Sequence, residues 1–96
     1  MELDNILRSR REDILKIAAK NGACNVRIFG SVARGEAGEN SDIDLLVELE
    51  PGRSLLDLAK LVVELEDLLN RKVDVVTEQG LYWLLRRRIL TEARPL

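Results

Sequence analysis

The chain has 96 residues, 46% hydrophobic and 33% charged, with 15 basic and 17 acidic side chains and a formal net charge of −2. That is enough apolar material for one small packed core and too much for a disordered chain, and the near-neutral balance gives no reason to expect non-specific nucleic-acid binding. Histidine is absent and Cys24 is the single cysteine, which excludes an internal disulfide, Ser-His-Asp or Cys-His catalysis and His-ligated zinc, so any chemistry must run on carboxylates, hydroxyls, Lys and Arg.

In chain order, Leu3, Ile6, Leu7, Ile14, Ile17 and Ala18 recur at helical spacing, and Asn21-Gly22 supplies a stop, predicting one amphipathic helix over about residues 2 to 20. Cys24 then reads as a small buried hydrophobe, and "NVRIF" as a short strand ending at Phe29. "SVAR" reads as the start of a short helix. After a polar loop, "IDLLVEL" is a second strand, too apolar on both faces for a free edge and closed by Pro51-Gly52. Ser54 with Asp57 resembles a capping box opening a helix over Leu55 to Leu69. Its apolar positions include Leu58, Leu61, Val62, Leu65 and Leu68, but also Leu55, Leu56, Val63 and Leu69, which is wider than one core stripe needs.

"KVDVV" is the third strand, and "LYWLLRRRILTEA" a closing helix with Leu81, Leu84, Leu85 and Ile89 inward. Pro95 ends the pattern, and little is expected to follow the core. The order predicts an α/β (α+β) fold: a small mixed β-sheet with helices packed on it. No repeat, low-complexity tract or linker divides the chain, so residues 1 to 96 read as a single domain. No apolar run approaches the roughly 20 residues of a membrane span, and "MELDNILRSRRED" lacks the apolar segment of a signal peptide. The expectation is a cytoplasmic protein with no membrane contact.

The informative stretch is "FGSVARGEAGENSDIDLLVEL". In a strand, residues two apart share a face, so Asp42 and Asp44 project together, with Ile43 and Leu45 opposite. Two carboxylates so placed raise each other's pKa unless a cation neutralises them. A hard divalent ion fits: Mg²⁺ takes a few carboxylates and completes its octahedron with water and phosphate oxygens. Asp74, in the middle of "KVDVV", sets a third acid among valines and points to one convergent site. Gly30 lets a phosphate approach the backbone closely, Ser31 adds a hydroxyl and an N–H, and Arg34 can reach the same anion with its planar fork. The Walker pattern and the Rossmann fingerprint are both absent.

These residues carry a resemblance. "GSVARGEAGENSDIDLLV" is similar to the signature of the DNA polymerase β-like nucleotidyltransferase superfamily: Gly-Ser, about ten residues, Asp-apolar-Asp, and a third acid on a later strand. Its fuller form resembles the minimal nucleotidyltransferase branch, single-domain proteins that typically act as antitoxins beside a HEPN-domain ribonuclease toxin. The resemblance implies the polymerase β-like fold, with Asp42 and Asp44 binding two Mg²⁺ ions. Asp74 completes the site and is the candidate acceptor of the attacking hydroxyl's proton. It further implies that Gly30 and Ser31 hold a triphosphate, supported by Arg34. A pair of metals about 3.5 to 4 Å apart can stabilise the entering and leaving oxygens of an in-line displacement at phosphorus. The donor implied is ATP, and the acceptor a tyrosine hydroxyl of the toxin.

Larger relatives add an acceptor-binding domain, so here the acceptor surface is expected from a partner. The surplus apolar face of "SLLDLAKLVVELEDLL" and the aromatic pair Tyr82 and Trp83 fit such an interface. Arg86, Arg87 and Arg88 read as a solvated face, and Arg8, Arg10 and Arg11 are offset by Glu12 and Asp13. Two other readings stay open: a binding module that masks the toxin without catalysis, and a nucleotidyltransferase acting on a small molecule such as an antibiotic.

Overall fold

A computed structural model describes residues 3–36, 38, 41–81 and 83–96. The N-terminal apolar repeat forms two helices, α1 (Leu3–Ser9) and α2 (Arg11–Lys20), where one was expected; Met1 and Glu2 lie outside the described residues. The chain turns at Arg10, whose ψ of 7° leaves the helical range, yet Arg10 N–H still donates to Ile6 and Ile14 N–H to Arg10. The bend therefore costs few backbone bonds, and Leu7 and Ile14 are both buried in one core. Asn21 and Gly22 stop α2 as the sequence suggests. Buried Asn21 donates through Nδ2 to the Ile17 carbonyl and to Glu64, and Lys20 pairs with the same Glu64 at 2.9 Å.

Strand β1 (Ala23–Phe29) pairs antiparallel with β2 (Ile43–Leu49), and its register shifts between Cys24 and Arg27. At the shift Asn25 adopts a φ of +49°, a conformation asparagine tolerates better than most side chains. The bulge inverts the facing of the residues before it. By plain alternation Cys24 would point inward with Val26 and Ile28; instead Ala23 is buried and Cys24 is exposed, which corrects the expectation of a buried thiol.

The capping box forms: Ser54 Oγ accepts from Leu56 N–H, and Asp57 Oδ2 accepts from Ser54 N–H at 3.0 Å, opening α4 (Leu55–Leu69). This helix carries the chain from β2 to β3 (Val73–Thr77), which lies parallel to β2. Its stripe of Leu61, Leu65 and Leu69 is buried, so Leu69 belongs to the core and not to the surplus. Leu55, Leu56 and Val63 stay exposed.

The closing helix, α5 (Trp83–Glu92), starts later than expected, and Tyr82 lies outside the described residues. None of its residues is buried. Leu84 and Leu85 are exposed, against the inward placement expected of them, and Leu81 and Ile89 are half-buried. The reason is that α2 and α4 already cover the apolar side of the sheet, while α5 meets the short helix α3 (Gly30–Ala33) that follows β1. Nor does the chain trail off at Pro95. Arg94–Pro95 forms a short strand, β4, antiparallel to β1, Leu96 N–H donates to Val26, and Leu96 packs on the core.

The sheet order is β3-β2-β1-β4, so β2 is interior, as its apolar composition requires. Ile43, Leu45 and Val47 join Val26, Ile28, Val73 and Val75 beneath α2 and α4 in one buried cluster. Leu46 and Phe29 are buried outside that cluster.

Candidate functional site

The site grows from the end of β1. Phe29 is extended, Gly30 turns with a φ of +73°, and the chain enters a one-turn helix, α3 (Gly30–Ala33). A positive φ is cheap for glycine alone, and here there is a second requirement: a Cβ on Gly30 would collide with Oδ2 of Asp44. The missing side chain is the space the carboxylate occupies.

Asp44 sits second in β2, opposite Phe29 on one side and directly in register with Asp74 of β3 on the other. Adjacent parallel strands run about 4.8 Å apart, so the two acids are neighbours by construction. Burial pushes the Asp44 carboxyl above its ordinary range, the negative charges of Asp74 and then Asp42 push the same way, and Arg34 opposes them. Asp42 lies immediately before β2 and is exposed, with Lys72 Nζ at 4.0 Å from its Oδ2; Asp74 is also exposed. Ile43 and Leu45 face the opposite way and are fully buried, so the alternation inferred from the sequence holds.

Ser31 is half-buried in the first turn of α3, and Arg34 follows as its C-cap. Arg34 is not free. Its Nε donates to Glu36 at 3.0 Å, and its Nη1 donates to both carboxylate oxygens of Glu92 at 3.1 and 3.2 Å. Glu92 Oε2 also accepts the Gly30 N–H at 2.7 Å. The structure thus brings Gly30, Asp44, Asp74 and Arg34 together and adds Glu92, which the sequence did not single out. Glu92 stands 62 residues from Gly30, and no local spacing signals the contact.

Arg27 is a second residue that pattern reading missed. It faces the same way as Asp44, with Leu46 as its register partner, and its guanidinium lies 3.4 Å from Glu78, which it holds below the usual carboxylate range. Arg86 joins this edge by donating to the Glu78 carbonyl, while Arg87 and Arg88 are exposed. Ala37, Glu39 and Asn40 of the glycine-rich loop lie outside the described residues.

The donor set is oxygen-only. Among the described residues no three His, Cys, Asp or Glu side chains stand close enough together to cage a metal by themselves. Asp44, crowded by Asp74 and Asp42, is nonetheless a place where a cation is favoured over two bare carboxylates. Mg²⁺ suits such a partial set, because it is commonly held by one or two carboxylates plus water and phosphate oxygens.

Comparison with known proteins gives the following. Residues 10–96 match the family model described as a nucleotidyltransferase domain. A provisionally named protein adenylyltransferase of Methanocaldococcus jannaschii is 49% identical over 89 residues, which is 93% of this chain and 95% of that protein. A solved structure, provisionally assigned as a minimal nucleotidyltransferase, superposes with a TM-score of 0.88 at 56% identity, covering 100% of this chain and 97% of the other. A toxin–antitoxin crystal structure with AMP-PNP shares the fold, with a TM-score of 0.75 at 24% identity over 88% of this chain and 69% of that one.

Proposed function

The chain belongs to the nucleotidyltransferase domain family, and on that premise we propose that it transfers AMP from ATP to a protein hydroxyl in a Mg²⁺-dependent reaction. The acceptor in this reading is a tyrosine of a HEPN-type ribonuclease toxin, and the protein is the antitoxin of the pair, working in the cytoplasm. One observation carries the reading. Asp44 and Asp74 are held in register on adjacent strands, with Asp42 one residue ahead of β2, although their mutual repulsion and the burial of Asp44 make that placement costly. A fold keeps charged groups at such a cost where they serve a site.

Asp42, Asp44 and Asp74 would hold Mg²⁺, two ions in this reading, which when bound offsets the charge of the triphosphate and of the departing pyrophosphate. The remaining work falls to the chain. The Gly30 N–H and the Ser31 hydroxyl bind phosphate oxygens, and Arg34 supports the polyphosphate with a charged fork. Asp74, open to solvent at the sheet margin, accepts the proton of the acceptor hydroxyl. The acceptor oxygen forms its bond to the α-phosphorus as the bond to the bridging oxygen breaks, and pyrophosphate carries away the electron pair.

In this reading the acceptor is presented by a partner protein. Leu55, Leu56 and Val63 of α4 and Trp83, Leu84 and Leu85 of α5 are exposed apolar side chains, and they support a protein partner. Among the described residues no helix is long and apolar enough to cross a membrane.

The test is intact-mass spectrometry of the co-expressed partner after incubation with ATP and Mg²⁺. The wild-type protein should add one or more AMP units, and the Asp42→Asn, Asp44→Asn double variant none, a loss of at least about 1,000-fold. A stable complex, a silenced toxin and no mass increase would instead make the protein a binding module.

A further inference from the structure

Glu92 is the last residue of α5, and its carboxylate sits where the reading above places the triphosphate. Its Oε2 accepts the Gly30 N–H at 2.7 Å, and both its oxygens receive Arg34 Nη1, at 3.1 and 3.2 Å. The Glu92 side chain is 16% exposed, although most of α5 is open to solvent. Two of the three groups assigned to an incoming anion, the Gly30 N–H and Arg34, are therefore already engaged by an anion of this same chain. A carboxylate and a phosphate offer equivalent charged oxygen acceptors, and the one Gly30 N–H cannot serve both at full strength. Left in place, Glu92 would also set like charge against the triphosphate.

We infer that Glu92 is a resident anion that closes the phosphate cradle, and that a nucleoside triphosphate binds by displacing it, so that Glu92 sets nucleotide affinity. This rests on the assignment of Gly30 and Arg34 to the triphosphate. The displaced side chain has somewhere to go. Glu92 lines an open groove of about 470 Å³ with Leu84, Arg87, Arg88 and Thr91, and Arg88 stands one helical turn earlier, at the spacing where a released carboxylate pairs with it. Because Glu92 ends α5, its release would loosen the tie between α3 and the helix bearing Trp83, Leu84 and Leu85.

The full-length protein and its Glu92→Gln and Glu92→Asp variants, with folding checked by thermal melting, should be titrated with ATP and Mg²⁺. Affinity is read by calorimetry, and the Gly30 amide and Glu92 side-chain carboxyl resonances by NMR. Glu92→Gln should bind about fivefold more tightly, the difference between a charged and a neutral acceptor for the same donors. Glu92→Asp, too short to reach Gly30, should also bind more tightly. In the wild type the two resonances should move together as ATP is added. Unchanged or weaker affinity in both variants, or ATP bound while the Glu92 resonance stays put, overturns the inference and leaves the nucleotide reading intact. If no form binds ATP but Glu92→Gln takes inorganic pyrophosphate at the Gly30 amide and the wild type does not, the resident anion stands and the ATP assignment falls. If neither probe binds any form, both fall.

Discussion

The two faces of β2 behave as different materials. On one, Ile43, Leu45 and Val47 are at most 1% exposed and pack under α2 and α4; on the other, Asp44 is half-buried beside Asp74 and Glu48 is exposed, with fully buried Leu46 between them. The first face stabilises the fold by burying apolar area, at about 25 cal/mol per Å². The second is mixed: Leu46 adds to that burial, while at Asp44 burial and neighbouring charge both penalise the ionised form. The contrast teaches that one strand's alternation can place a site and its support a single residue apart. The acids are held rigidly because the residues between them are locked in the core.

The sharpest way to break that arrangement is from the apolar side. Leu45→Ala, between the fully buried positions of β2, should cost about 3 kcal/mol in a urea titration, a large share of what a domain of this size has to lose. Next is the junction of the two faces. Gly30→Ala forces a side chain into a positive φ and against the Asp44 carboxylate, and should cost about 2 kcal/mol while weakening ATP binding in calorimetry.

The smallest effect has the opposite sign. The folded Asp44 carboxyl titrates above its unfolded value, so the fold favours the protonated form. That contribution is complete below the unfolded carboxylate pKa and is lost as pH rises through the folded value. At neutral pH without metal, Asp44→Asn should therefore raise the melting temperature, and the gain should vanish below the unfolded carboxylate pKa, where the native carboxyl is also neutral. A variant no more stable than wild type at neutral pH would mean that the acidic face carries no such strain.

Much of this was legible beforehand. Interior β2, the capping box at Ser54 and Asp57 and the stop at Asn21-Gly22 follow from local pattern, because alternation, caps and turn residues are decided over a few positions. The inward facing of Ile43 and Leu45, opposite Asp44, follows from the same period of two. Cys24 was misread because a bulge at Asn25, invisible to alternation, inverts the residues before it. Leu84 and Leu85 were misread because helical periodicity marks an apolar face without saying whether anything is there to cover it.

By itself, then, the sequence determined the element types from β1 to α5, the capped start of α4 and the set of acids, since each depends on residues near in the chain. Only the tertiary structure decided that Asp44 stands in register with Asp74, that its carboxylate fills the space a Cβ on Gly30 would take, and that Glu92 closes over Gly30 and Arg34. Those contacts span tens of residues, and strand order and helix docking, which no local period encodes, bring them together.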